Sequence, residues 1–293
     1  MIKDRIESVY TKYYKIILFI PIIFLIISLG IVGTKFIKTG ELFDKDVSLK
    51  GGITATVYTD KQISVDELKS AIGVDSEVKV LSDFITGRQI GFVISVSDIK
   101  SEDLQKTVEV FLGIILTQKN YSVEETGPKL GAAFYNQLMM AILFAFILMG
   151  IAVFISFRTP IPSMAVIFSA FTDIMIPLAI INLMGLKVST AGIVAFLLVI
   201  GYSVDTDILL TTWAIKKRHE GRLFDRMYHS MKTGLTMTMC AIAVMAVGII
   251  FTQSFVIKEM FIIILLALIT DIFSTYLTNA GILSWYCEKK GIQ

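Results

Sequence analysis

Leu197-Leu198-Val199-Ile200-Gly201-Tyr202-Ser203-Val204-Asp205-Thr206-Asp207-Ile208-Leu209-Leu210 is the stretch that decides how this chain is read. It lies in an apolar run that begins near Val188 and is long enough to cross a bilayer. It holds two carboxylates too deep to reach water by snorkelling. A charge at the centre of a membrane helix costs ~2.5–3.5 kcal/mol on insertion scales, so such a residue faces a bundle interior or a water-filled path. On a helix, Asp205 and Asp207 stand about 200° apart and cannot meet the same neighbour. Ser203, Asp207 and Thr211 share one stripe; Gly201, Asp205 and Thr212 share another.

The surrounding composition agrees. The chain has 293 residues, is 55% hydrophobic and has a mean hydropathy of +0.73. Apolar runs of span length recur at 16–33, 135–157, 161–183, 188–214, 234–251 and 260–286, which makes this a polytopic α-helical membrane protein of about six spans. The first run is too long for a signal-peptide core and no small-x-small cleavage site follows it, so it reads as a retained anchor. Cys240 and Cys287 lack any CxxC or Cys/His neighbourhood and read as packing residues. No Walker-type glycine loop is present, and neither a metal nor another cofactor is called for.

Two further runs carry polar residues at helical spacing. Ser169 and Asp173 stand at i, i+4, with Pro177 one turn later. Asp271, Ser274, Thr275 and Thr278 fall at i, +3, +4 and +7 on one face. Asp173, Asp205, Asp207 and Asp271 are therefore the candidates for an ion or proton relay, with Ser203, Thr206, Thr211, Ser274 and Thr275 as supporting polar groups. The competing reading is hydrogen-bonded glue between helices. An intramembrane aspartyl protease needs two carboxylates sharing a proton. Its Tyr-Asp and Gly-x-Gly-Asp motifs are not matched by Gly201-Tyr202-Ser203-Val204-Asp205, and the chain reads as a non-enzyme.

Residues 38–130 are different in character. Glycine-led alternation at 49–58 predicts a strand, 65–72 a helix capped by Ser64, 77–84 and 89–96 two strands, 101–116 an amphipathic helix, and 121–125 a last strand. The helix at 101–116 gathers Leu104, Val108, Phe111, Leu112 and Ile115 on one side. The order βαββαβ is the ferredoxin-like split motif. The domains expected are thus an N-terminus with the first span (1–37), this α+β unit (38–130) and a five-helix bundle (131–293).

Lys216, Lys217, Arg218, Arg222, Arg226 and Lys232 crowd the connection after the Asp-bearing span, Arg158 sits between the second and third spans, and Lys289 and Lys290 follow the last. The opposite loops carry Lys187 and Lys258-Glu259 only. The positive-inside rule then puts both termini in the cytoplasm and residues 38–126 outside. As a topology signal the basic connection needs no nucleic-acid partner.

With these residues in view, the chain resembles the SecF subunits of the Sec protein-export machinery, a branch of the RND (resistance–nodulation–division) superfamily, over essentially its whole length. The resemblance rests on Gly51-Gly52 at the start of the outer domain, Gly127-Pro128-x-x-Gly131 before the second span, Asp173, and above all Gly201-Tyr202-Ser203-Val204 followed by acidic and hydroxyl residues. The bacterial pattern continues Asn-Asp-Ser/Thr and has an arginine in the fifth span. Here Asp205-Thr206-Asp207 places carboxylates one residue to either side, and 232–238 has no arginine, which resembles the archaeal form. The resemblance implies half of an RND-type bundle in the cell membrane. It also implies a SecD-like partner, a SecY-type translocon, membrane lipid around the spans, and an exported polypeptide gripped by outer domains as ions flow. It suggests that Asp205 and Asp207 lie where the two halves meet. A translocon-stabilising subunit without ion coupling, or a small-molecule or lipid exporter of RND type, would fit the same layout less fully.

Overall fold

The computed structural model describes residue 7 and residues 13–292 apart from 75, 84, 85, 98 and 253. Lys3, Arg5 and Lys12 of the N-terminal segment, whose charges are mixed, and Phe84 at the end of the second expected strand lie outside the described residues.

The first membrane helix, α1 (Phe19–Thr39), ends at Gly40, whose left-handed backbone (φ 72°) lets its N–H reach the Phe36 carbonyl. A single helical turn follows, α2 (Val47–Lys50), where the alternation suggested the start of a strand. The turn stops at Gly51 (φ 93°), and β1 (Gly52–Tyr58) begins only after it.

The small domain then runs α3 (Val65–Ile72), β2 (Ser76–Ser82), β3 (Gln89–Val96), α4 (Ser101–Leu112) and β4 (Tyr121–Thr126). The strand order is β2-β3-β1-β4 with every pairing antiparallel, as the split βαββαβ motif requires. In β1, Ile53, Ala55 and Val57 point to one face and pack with Phe92, Ile94 and Val96 of β3 beneath Leu68, Leu104 and Val108 of the two helices. Burying each such Leu or Phe side chain contributes roughly 1.5–3 kcal/mol. The Ser64 side chain accepts the Glu67 N–H and caps α3. The helix α4 stops short of the expected end, because Gly113 turns left-handed (φ 60°). Ile115 therefore leaves the helix and is 79% exposed.

Among the described residues, six helical rods cross beneath this domain. They are α1, α5 (Pro128–Phe157), α6 (Pro160–Met184), α7 (Thr190–Ile215), α8 (Leu223–Phe251), and a long last rod. Pro128 and Pro160 each start a helix, where their missing N–H is not needed. Both α5 and α8 begin well before the apolar runs that announce them. The last rod is α9 (Phe255–Phe273), a π-helical segment Ser274–Asn279, and α10 (Ala280–Lys290). Among the described residues, five helices are long and apolar enough to cross a membrane. The last rod falls short by composition only, since α9 carries Lys258, Glu259 and Asp271.

Two helices are central: α6 and α7 bury 61% and 56% of their most apolar windows, against 6% for α5 and 11% for α8. The small domain is seated on this bundle through its two glycine motifs. A Cβ on Gly131 would lie 2.9 Å from the Leu49 carbonyl oxygen, and one on Gly51 would lie 2.5 Å from Pro128 Cα. Bare backbone at both positions lets the chain enter and leave the domain at one crossing point. The seat is extended by Val188 N–H to the Asp44 carbonyl (2.7 Å) and Asp46 N–H to the Val188 carbonyl (2.9 Å).

Candidate functional site

The interior of the bundle holds one polar network built from α6, α7 and the last rod. Asp173 of α6 accepts from Ser203 of α7 at one oxygen and from Ser274 of the π segment at the other, both at 2.5 Å. Asp207 Oδ1 accepts from Thr275 (2.9 Å) and from the Asn279 amide (2.7 Å). The Thr275 hydroxyl is also 3.1 Å from Asp271, and Thr206 Oγ1 lies 3.1 and 3.2 Å from the two Asp271 oxygens. All three carboxylates are fully or almost fully enclosed by their own chain.

The donor count is what makes this network chemically open. A hydroxyl has one proton. Thr275 faces two carboxylates with it, and Thr206 faces both Asp271 oxygens and also the Ser203 carbonyl at 2.8 Å. Among the described residues no lysine or arginine forms an ion pair with Asp173, Asp207 or Asp271. Bare anionic charge of this density is unaffordable in a low-dielectric interior. Such an arrangement can take up a proton, which would supply a missing donor, or a small cation, which would balance the charge. Asp207 Oδ2 makes no well-directed hydrogen bond, with the Ser169 hydroxyl beside it, and the buried Thr211 and Thr278 hydroxyls are also unengaged among the described residues, each with a donor and acceptor capacity to spare.

The helical stripes read from the sequence are the ones the fold uses. Ser203, Asp207 and Thr211 all face inward, as do Ser169, Asp173 and Pro177, and Asp271, Ser274, Thr275 and Thr278. Asp205 does not join them. With Val194, Leu198 and Gly201 it lies on the exposed outer side of α7. Of the two aspartates expected where two halves meet, Asp205 stands on an outer side of this chain and Asp207 does not. Asp207 is turned into this chain's own core because the two are on opposite sides of one helix. Tyr202 ties α7 to α8 through its hydroxyl and the Met237 carbonyl (3.0 Å). Gly51, Gly52, Gly127 and Pro128 form the crossing point of the small domain and contribute nothing to the polar network.

Two site residues were not legible beforehand. On an ideal α-helix Asn279 falls about 80° from Asp271, off the polar stripe. The π segment, whose Ala280 N–H reaches back to the Thr275 carbonyl, widens the inward face so that Asn279 meets Asp207. Tyr276 is the second. It presses its hydroxyl into the gap at Gly234 of α8, beside Thr206. Arg226, counted with the basic connection, is buried in the first turn of α8 near Cys287.

Comparison with known proteins fits this architecture. The family model "Protein export membrane protein SecD/SecF, C-terminal" matches residues 109–289. The chain is 37% identical to the protein-export membrane protein SecF of Methanocaldococcus jannaschii, over 94% of this chain and 96% of that one. It is 32% identical to SecF of Pyrococcus furiosus, over 99% and 97% of the two chains. Among solved structures it superposes on SecDF, described as a translocon-associated membrane protein, from Thermus thermophilus, with a TM-score of 0.73 at 17% identity. That match covers 94% of this chain and 38% of the longer one, and it speaks for the fold. On the family match and the full-length relatives together, the chain belongs to the SecD/SecF family of protein-export membrane proteins, on its SecF side.

Proposed function

We propose that this chain works as the SecF half of a SecD/SecF-type assembly that assists polypeptide export beside a SecY-type translocon, and that protons or another small cation pass through the carboxylate network of α6, α7 and the π segment. The observation that carries the reading is Thr275: one hydroxyl is shared by two enclosed carboxylates from different helices, in a network with no basic partner among the described residues. A network that only glued helices together would gain nothing from surplus acceptors, which cost about 1–3 kcal/mol each when left unmet.

In this reading the two aspartates of α7 have separate tasks. Asp207 belongs to the ion path. Asp205, at mid-span on an outer surface with Val194 and Leu198, faces the SecD-like half, which supplies the donor that lipid cannot. The small domain lies on the exterior side with both termini in the cytoplasm, supported by the basic connection between α7 and α8.

The test is an export assay in cells that depend on this chain. Asp207→Asn is expected to keep folding and recovery of the SecD-like partner while lowering export several-fold. Asp205→Leu is expected to lower partner recovery first. Normal export by the Asp205→Asn, Asp207→Asn double variant would overturn the ion path and leave a subunit that only stabilises the translocon.

A further inference from the structure

The sheet of the small domain has a second face, turned away from α3 and α4. It carries Thr54, Lys79, Val93 and Ser95 and roofs a cavity of about 310 Å³ above the bundle. The floor is apolar and comes from the membrane rods themselves: Ile181 of α6, Val188 before α7, and Ile262 and Ile263 of α9. These are the rod ends that face the small domain, and the ends of apolar spans meet the head-group region of a bilayer.

Charges ring the cavity. Lys79 and Lys187 both grip one carboxylate, Glu77, at 3.0 and 2.7 Å. Of the two acids that line it, Glu259 accepts the Ser189 N–H at 2.8 Å, and the Asp46 N–H donates to the neighbouring Val188 carbonyl. Lys258, in the first turn of α9, is half-buried and forms no ion pair among the described residues. The cavity thus joins a half-buried ammonium group without a carboxylate to an apolar floor continuous with the spans.

We propose that this cavity holds a phospholipid of the leaflet on the small domain's side, its phosphodiester against Lys258 and the shared Lys187, and the start of one chain on Val256, Ile262 and Ile263. Acids and bases both line the site, so recognition comes from the unpaired lysine and not from a broad positive field. The lipid would seat the sheet on the bundle along the side opposite the Gly51–Pro128 crossing. The proposal does not depend on ion passage.

The test uses the full chain purified in a non-ionic detergent and native mass spectrometry with three added probes: phosphatidylglycerol, diacylglycerol and glycerol 3-phosphate. Phosphatidylglycerol should be retained, with Lys258→Met lowering occupancy about tenfold, the size of one charge-assisted contact. Ser95→Trp, which fills the cavity from the sheet side and leaves Lys258 in place, should lower it as well. Lys119→Met, exposed beside Asn120 at the end of β1 away from Gly52, should change nothing. Equal retention of diacylglycerol, equal occupancy in Lys258→Met, or binding of glycerol 3-phosphate as tight as the lipid would each overturn the proposal. So would a photo-crosslinker at Val256 that labels an exported polypeptide in membranes and no lipid.

Discussion

Thr275 stands between Asp207 and Asp271, its hydroxyl 2.9 Å from one carboxylate and 3.1 Å from the other. It comes from a π-helical segment, and π segments recur where helices do something beyond spanning. Replacing it with valine keeps the shape and removes the shared hydroxyl. Thr275→Val is expected to destabilise the chain by about 1–3 kcal/mol, the cost of buried acceptors left unmet. Thr275→Ser should restore most of it. Thermal unfolding in detergent checks the ranking; a valine variant as stable as the parent would contradict the shared bond.

Tyr276 and Gly234 form the second pair worth testing. A Cβ at Gly234 would run into the Tyr276 hydroxyl, so the ring or α8 would have to shift. Gly234→Ala should cost roughly 1–3 kcal/mol by overpacking. Removing the hydroxyl as well, in Gly234→Ala with Tyr276→Phe, should recover part of that loss. Additive losses in the double-mutant cycle would show that the two do not touch.

At the seat of the small domain, Glu77 sets a pH dependence. Burial pushes its carboxyl up, but the bonds to Lys187 and Lys79 outweigh burial and hold it below its ordinary value of 4.5. A group lowered in the folded state contributes stability that is present above 4.5 and lost as the pH falls through the lower folded value. The half-exposed pair is worth under about 1 kcal/mol. Glu77→Gln should therefore loosen the sheet from the bundle at pH 7, read as faster protease cutting near β2, and the difference from the parent should shrink as the pH falls below 4.5. A difference that grows as the pH falls would contradict this.

Gly51 is the most constrained of the seat glycines. Its φ of 93° disfavours any side chain, and its Cβ position falls on the Pro128 backbone. Gly51→Ala is expected to cost at least about 1–2 kcal/mol from backbone strain alone, and more from the clash, seen as a lower unfolding temperature of the full chain. Gly201, on the open side of α7 with nothing near its Cβ position, should accept alanine with little change in the isolated chain.

Periodicity alone was enough for most of this molecule. The apolar runs gave the membrane rods, and the cap at Ser64 and the alternation at 89–96 gave elements whose bounds match the structure. Helical spacing put Ser203, Asp207 and Thr211 on one face and Asp205 on the other, because side-chain direction along a regular helix follows from position alone. Three decisions needed the tertiary structure. The π segment brought Asn279 to Asp207, and no local pattern announces a change of helical pitch. Left-handed Gly113 ended α4 earlier than its hydrophobic pattern did, and a helical turn closed at Gly51 delayed the start of β1, since pattern reports burial and not backbone turn. Which neighbours the four aspartates met was fixed only by packing: α6, α7 and the last rod closed around three of them and left Asp205 outside, a long-range choice among helices that no single helix encodes.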